Sequence, residues 1–534
     1  MDSTCILNKN SEYANNRKKF SIFRILFSPM FFIALFFVIE LILIFFFSDF
    51  FYKRELQFII IILNVIEILY IVNSKKLKDS FKIVWMLVFI AMPIFGVLLY
   101  IVLRFTDLFS GNRNKLRDTV INAKKYYDFS YSDEIRNKNS VSEEVYHEHS
   151  FFNYFYKYVK CPVYKNVKVH YFDNGKDAFE DILSKMKEAK KFIFIEIFIL
   201  ADGIVWQEML KILKEKAKEG VEVKLLVDGL NSIFRFNKRY CEYLKTFNID
   251  AKIFKPISPL IASTQNRRDH RKIFVIDNEI AYTGGINIAD EYANLYERFG
   301  YWKDDCIRVE GKAVDSFTIM FMHLWHIYSK SKVINFDNYL PKQENKFEER
   351  LDVAYIPYTD YPNLSENISY EIFKYMLNSA NKYMYIMTPY LVIDEGMVET
   401  IESAAKRGVD VRIIVPRIPD KKYVFYVNRS YYRSLVLAGA KIYEYMPGFI
   451  HSKVYLQDSK RVVVGTANLD YRSLYMHYEN GIYIYNDETV LKDIKDDFDK
   501  TLSESIEMTM EEIVKMPLRY RFWGAVLKVF APLM

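Results

Sequence analysis

KFIFIEIFI, Lys191–Ile199, opens a succession of elements that decides the fold: a β-branched and aromatic run, a helical stretch stopping at Gly220, and a second apolar run, VEVKLLVD, Val221–Asp228. The same order recurs at KYMYIMTPYL, Lys382–Leu391, followed by a helical stretch to Arg407, then Gly408 and VDVRIIVP, Val409–Pro416. Strand, helix, glycine stop and strand make a βαβ unit, whose parallel strands are apolar on both faces because helices cover them. AKIF, Ala251–Phe254, and AKIY, Ala440–Tyr443, continue the two halves alike, each after a polar and aromatic helical stretch. Self-similarity on this scale predicts two α/β lobes of one ancestry, each a mixed, mostly parallel sheet flanked by helices. A ligand is expected in the crevice between them, at the carboxyl ends of strands.

Each half next delivers one constellation. HRKIFVID, His270–Asp277, and HSKVYLQD, His451–Asp458, both read HxKxxxxD. At equal distances downstream stand a glycine (Gly284, Gly465) and an asparagine (Asn287, Asn468). With eight histidines in the whole chain, a matched pair of this motif is far outside what composition supplies. Along a strand, histidine and lysine two residues apart point to one face. Imidazole attacks phosphorus or shuttles a proton near neutral pH, while lysine ammonium and asparagine amide hold the non-bridging oxygens of a phosphodiester. The motif residues His270, Lys272, Asp277, His451, Lys453 and Asp458 are thus the catalytic candidates, and Lys272, Asn287, Lys453 and Asn468 the phosphate-binding ones. Asp277 and Asp458 are expected to brace their motifs rather than react. Two facing sets predict one neutral, nucleophilic histidine and one protonated one. This chemistry calls for no metal.

Composition narrows the classes further. A chain of 534 residues, 51% hydrophobic and 17% aromatic, with 17 Gly and 14 Pro, is neither collagenous nor wholly disordered. Cys5, Cys161, Cys241 and Cys306 show no CxxC or paired spacing, which argues against a zinc site or a disulfide framework. A net charge of +7 is modest for this length and does not suit a dedicated nucleic-acid binder, while an anionic membrane surface fits. His147 and His149 in HEH lack metalloprotease spacing and read as a solvated connector; His323 and His326 in MHLWH read as a core helix with a polar edge. KKYVFYVNRSYYRS, Lys421–Ser434, reads as a helix on the lipid-entry side of the crevice rather than a base-stacking surface.

The amino-terminal part is of another kind. Leu26–Phe47 carries one charge, Glu40; Phe58–Val72 is shorter and holds Asn64 and Glu67; Ile83–Leu103 has no charge. Two or three membrane-spanning segments are expected, too long and aromatic at the start for a cleaved signal peptide. Basic residues precede the first segment (Arg17, Lys18, Lys19, Arg24) and the third (Lys75, Lys76, Lys78, Lys82), but Arg104–Lys125 is also basic. Charge counting therefore does not choose a side. Pro93 and Gly96 allow the third segment to turn back as a hairpin. Glu40 and Glu67 are either functional carboxylates at membrane depth or carboxylates held at a helix interface. The carboxyl end, LRYRFWGAVLKVFAPLM, reads as an interfacial amphipathic helix whose Arg519, Arg521 and Lys528 suit anionic lipid.

The doubled HxKxxxxD with its downstream asparagines resembles the phospholipase D superfamily. RDHRKIFVIDNEIAYTGGINIADEY (Arg268–Tyr292), GYWKD (Gly300–Asp304), RSYYRSLVLAGAKIYEYMPGFIHSKV (Arg429–Val454), GTANLDYRSLYMHYENG (Gly465–Gly481) and the anchor-like MPIFGVLLYIVLR (Met92–Arg104) are similar to bacterial cardiolipin synthases. Asp269, Asp305 and Cys306 depart from the family's pattern, as does the first hydrophobic segment. The resemblance implies His270 as nucleophile, His451 as general acid and base, and Glu479 and Asp304 as histidine-orienting acids. It implies a membrane-embedded, multi-pass bacterial enzyme that needs no cofactor and joins two phosphatidylglycerol molecules into cardiolipin and glycerol. A phospholipase D-type hydrolase, or a transphosphatidylase using another alcohol, is the alternative. The expected organisation is a cytoplasmic tail (1–25), a membrane anchor (26–103), a charged connector (104–150), two lobes (151–345 and 346–516) and a terminal amphipathic helix (517–534).

Overall fold

A computed structural model describes residues 29–46, 54–74, 78–108, 112–137, 141–230, 236–255, 267–328, 336–340, 347, 350–362 and 366–533. The expected tail, 1–25, and the basic residues Arg17, Lys18, Lys19, Arg24, Lys75 and Lys76 lie outside the described residues. The chain divides into two compact units, residues 111–256 with 267–528, and residues 1–110 with 257–266 and 529–534.

The larger unit contains both halves of the repeat. The first half supplies β1 (Val167–Phe172), β2 (Phe192–Ile197), β3 (Glu222–Asp228), β4 (Ile249–Phe254), β5 (Ile273–Ile276), β6 (Ile280–Gly284), β7 (Tyr301–Lys303) and β8 (Cys306–Gly311). The second supplies β9 (Ala354–Asp360), β10 (Tyr383–Met387), β11 (Leu391–Val392), β12 (Asp410–Pro416), β13 (Lys441–Tyr445), β14 (Gly448–Ile450), β15 (Val454–Gln457), β16 (Arg461–Gly465), β17 (Leu469–Asp470), β18 (Glu479–Tyr485) and β19 (Ser505–Glu507). One sheet runs β1-β8-β6-β5-β2-β3-β4, and the other runs β9-β18-β16-β15-β10-β12-β13 with β19 added at its edge. Position by position the two orders are the same, which is the repeat in three dimensions.

The sheets are mixed, but they are not mostly parallel. Within these two sheets, among the described residues, only β2–β3–β4 and β10–β12–β13 pair in parallel; β5 returns antiparallel to β2, and β6, β8 and β1 continue antiparallel. The reason lies in the HxKxxxxD segments, each of which is a strand closed by a tight hairpin turn at Asp277–Asn278 or Asp458–Ser459, with positive φ at both residues.

Helix Val314–Ile327 touches β2, β5, β6 and β8 of its own sheet and β9 of the other, and Glu488–Ser503 likewise touches β13, β15 and β19 together with β1. All residues of Val314–Ile327 are buried, so His323 and His326 sit within the core and not on a polar edge; His323 Nδ1 lies 2.5 Å from Tyr361 Oη. A single apolar cluster runs from Phe192, Phe194 and Val275 through Phe317 and Phe321 to Tyr355, Met387 and Val454, joining the halves into one body. Residues 112–123, within the segment read as a charged connector, form a helix that packs on Val314–Ile327 through buried Leu116 and Ala123. Helix Lys422–Leu437 buries Val427, Tyr431, Tyr432 and Leu435, and its Arg429 is held by Glu444 at 2.8 Å, which takes that cation out of any base-stacking surface. Leu518–Val529 lies across it at Gly524 and Tyr426, with Lys528 over the Tyr431 ring, and leaves Leu518, Phe522 and Trp523 exposed.

The described residues of the smaller unit are largely helical. Among the described residues one helix, Arg54–Val72, is long and apolar enough to cross a membrane. As Pro93 and Gly96 allow, the segment Ile83–Leu103 turns back as two helices, Asp79–Ala91 and Phe95–Leu108, because Pro93 disfavours helix at Met92. They pack face to face through Trp85, Phe89 and Tyr100, and a Cβ on Gly96 would stand 3.0 Å from the Val88 carbonyl. The Glu40 carboxylate accepts the Ile94 and Phe95 amides (3.2 and 3.3 Å) at the start of the second of these helices, and Asn64 Nδ2 donates to the Pro93 carbonyl (2.8 Å). Glu40 thus caps a helix, which satisfies amides that have no intrahelical partner.

Candidate active site

Two short backbone pairings between the halves build the site. β14 runs parallel to β7, and the main chain at Asp269 pairs in parallel with that at Tyr478. The His270 amide donates to the Tyr478 carbonyl (2.9 Å) and the His451 amide to the Lys303 carbonyl (2.7 Å). In each case the acceptor is the residue just before an acid. His270 Nδ1 therefore meets Glu479 (2.9 Å to Oε2) and His451 Nδ1 meets Asp304 (2.8 Å to Oδ2). Each acid serves the histidine of the other half.

A carboxylate accepts from Nδ1–H, which leaves the Nε2 lone pair of each ring available for chemistry. The acids are themselves fixed: Thr466 Oγ1 donates to Glu479 Oε2 (2.5 Å) and Trp302 Nε1 to Asp304 Oδ2 (3.2 Å). A Cβ on Gly285 would fall 1.8 Å from Asp304 Oδ1, so the acid can approach only where a glycine stands. Directly after each acid, Asn480 Oδ1 accepts the Lys272 amide (3.3 Å) and Asp305 Oδ1 the Lys453 amide (2.8 Å). Asp305, a departure from the family's pattern, thus takes the position of Asn480 in the other half. Asp269, another departure, lies 3.5 Å from the buried Arg271, which also binds Glu196 (2.7 Å) and Thr359 (3.2 Å), and Thr359 in turn donates to the Glu479 carbonyl (2.7 Å).

Burial governs the charges. It pushes the His270 ring well below its usual value, with Lys272, Lys453 and His451 adding to the push. His451 is pushed down to about 4 by burial and Lys453, against the pull of Asp304. Burial takes the Lys272 ammonium down to about 7 and that of Lys453 to about 8. It raises Asp305 to about 7, helped by neighbouring Asp304. Both histidines are therefore neutral at pH 7, where the facing motifs suggest one protonated ring. The cations of both halves contribute to the lowering at His270.

The remaining candidates are placed as follows. Lys272 Nζ donates to the His270 carbonyl (2.6 Å), and Lys453 Nζ lies 2.9 Å from His451 Nδ1. Asn287 holds the Ile199 amide and Tyr292 Oη (both 2.9 Å), while Asn468 Nδ2 donates to Asp470 (3.0 Å). Asp277 and Asp458, grouped with the catalytic motifs, stand at the opposite ends of β5 and β15 from the histidines. Asp277 accepts the amides of Lys190, Lys191 and Phe192 (2.7–2.8 Å), and Asp458 those of Asn381, Lys382 and Tyr383 (2.7–2.8 Å). Sequence reasoning did not single out Thr466, Trp302, Asn480 or Asp305 for a role; the available signal was the place of Thr466 beside Gly465, of Asn480 and Asp305 directly after the two acids, and of Trp302 two residues before Asp304.

The family described as cardiolipin synthase, PLD-like domain, matches residues 182–325 and 373–502, one stretch in each half. An uncharacterized protein of Streptococcus mutans serotype c is 41% identical over 88% of this chain and 99% of its own length. A cardiolipin synthase of Geobacillus sp. strain WCH70 is 30% identical over 89% of this chain and 93% of its own. The crystal structure of the phosphatidylserine synthase of Haemophilus influenzae Rd KW20 superposes with a TM-score of 0.55 at 16% identity, over 68% of this chain and 95% of that one, a likeness of fold. With the family matched in both halves and a cardiolipin synthase among the relatives at 30% identity, the chain belongs to the cardiolipin synthase family, phosphatidyltransferases of the phospholipase D superfamily.

Proposed function

We propose that the chain transfers a phosphatidyl group from one phosphatidylglycerol to another, giving cardiolipin and glycerol through a phosphohistidine. The observation that carries this reading is the crossed pairing of His270 with Glu479 and His451 with Asp304. It supplies two rings with free Nε2 atoms in one buried, cationic site. His270 Nε2 attacks phosphorus, and the bond to the glycerol oxygen breaks as His451, protonated in the substrate complex, gives that oxygen its proton. The phosphodiester anion favours this proton uptake by offsetting the two lysine charges. Neutral His451 then takes the proton of the incoming phosphatidylglycerol hydroxyl, whose oxygen attacks phosphorus and frees His270. Lys272 and Lys453 neutralise charge on the phosphoryl oxygens, and Asn287 and Asn468 donate hydrogen bonds to them. Glu479 and Asp304 orient the rings, and Asp277 and Asp458 hold the hairpins that carry them.

In this reading residues 26–103 anchor the enzyme in a membrane through more than one segment, 151–345 and 346–516 are the catalytic lobes, and 517–534 engages the lipid surface. Exposed Leu518, Phe522 and Trp523 beside Arg519 and Arg521 support the last assignment. The test supplies phosphatidylglycerol alone to the full chain in detergent micelles. Glycerol is expected before cardiolipin in a rapid quench, with the phosphatidyl adduct mapping to His270 and a chiral phosphorothioate analogue reacting with retention. Inversion overturns the two-step route, an adduct on His451 reverses the two roles, and phosphatidic acid in place of cardiolipin identifies a hydrolase.

A further inference from the structure

We propose that His270, His477 and Glu479 form a site for a zinc-class transition-metal ion, and that an ion bound there silences the enzyme. One potential ligand atom from each of the three side chains lies within 4.8 Å of the others, and all three are buried. His477 sits between helix Tyr471–Tyr475 and β18, its ring centroid 5.5 Å from that of His270. Its Nδ1 stands 3.6 Å from Glu479 Oε1, beyond a good hydrogen bond, and among the described residues neither of its ring nitrogens has a hydrogen-bond partner. The side chain is nonetheless 9% exposed. Buried imidazoles are normally partnered, and one left bare beside a carboxylate and a second imidazole calls for an explanation.

The chemistry of the donor set selects the ion. Two imidazole nitrogens and one carboxylate oxygen are a recurring three-ligand zinc set, in which the fourth position is left to water. Calcium and magnesium prefer all-oxygen surroundings and are poorly matched. The phosphoryl transfer itself does not use His477. An ion here would seize His270 and draw Glu479 from its orienting task, so metal and phosphodiester would exclude one another. That consequence rests on His270 being the nucleophile; the binding of the ion does not.

The experiment uses the full chain in detergent micelles, metal-stripped, with free zinc set by a metal buffer and cobalt(II) as the spectroscopic probe. Zinc is expected to inhibit cardiolipin formation reversibly, with inhibition relieved by chelator and weakened by rising phosphatidylglycerol. His477→Asn should retain basal turnover and need at least tenfold more zinc for half-inhibition. Cobalt should give the visible absorption of a low-coordinate nitrogen and oxygen site in the wild type and lose it in His477→Asn. Equal zinc sensitivity in the two proteins overturns the proposal, as does a cobalt spectrum that His477→Asn leaves unchanged. If His477→Asn does not fold, equilibrium dialysis of cobalt against wild type and His477→Gln decides, undiminished binding in the variant overturning the site. A chain that makes no cardiolipin yet binds cobalt through His477 keeps the metal site and refutes the catalytic reading. Tight cobalt binding with turnover undiminished overturns the silencing.

Discussion

Lys272 is expected to set the alkaline side of the pH response. Burial lowers its ammonium to about 7, so in the free enzyme the charge that must hold a phosphodiester is lost as pH rises through that value. kcat/KM should therefore fall on the alkaline side near pH 7, whereas the limb in kcat should lie higher, because a bound anion restores the proton to the lysine. Lys272→Arg keeps the charge at all working pH, so its limb should move up towards the value of about 8 for Lys453, with kcat/KM lowered because a planar fork does not replace a point charge. Coincident limbs in kcat and kcat/KM, or a limb that ignores Lys272→Arg, would refute the assignment. The pairing of a histidine with a lysine in each half was visible in the sequence, since residue type and spacing carry that information. The shifted protonation of both histidines was not, because it depends on burial and on cations brought from the other half.

At the scale of the element, the aspartate of each HxKxxxxD acts on a hairpin. Asp277 and Asp458 adopt positive φ (56° and 53°), each followed by a second left-handed residue, and each carboxylate gathers three main-chain amides from the stretch leading into β2 or β10. The motif thus locks the antiparallel return of its strand to the preceding one. Asp277→Ala strands three amides and removes a side chain that tolerates the left-handed φ of this turn, and should cost about 2–4 kcal/mol of stability. Asp277→Asn tolerates the turn and keeps an acceptor, and should cost about half of that. Thermal unfolding measures both losses, and turnover per folded molecule should change less than threefold; a hundredfold fall in kcat with an unmoved Tm would return the aspartates to the chemistry. The brace was readable, because the spacing from histidine to aspartate spans a whole strand and puts the two at opposite ends. Strand direction was misread, since an apolar run buried on both faces looks the same in either sense, and the turn residues Asp277–Asn278 were the signal that settled it.

For the molecule as a whole, the duplication was visible in the chain and the exchange between its halves was not. Periodicity and motif order lie within each repeat, whereas the acids cross over through short pairings, β7 with β14 and Asp269 with Tyr478, that have no mark in either repeat taken alone. Helices Val314–Ile327 and Glu488–Ser503 reach across in the same manner, so one half lacks both the core and the acid that the other supplies. In the proposed reading each chain holds one complete site assembled from both motifs. His270→Ala and His451→Ala should each abolish turnover, and the double variant should be no worse than either, because groups that act as a unit do not lose activity additively. Co-expressing the two single variants tests the same geometry between molecules: every chain then lacks one of its two histidines, and each intact histidine is held by an acid of its own chain. No activity should return in the mixture. Recovery to an appreciable fraction of wild-type turnover would mean that halves are exchanged between chains, with His270 of one molecule facing His451 of another, and the site would then belong to a dimer.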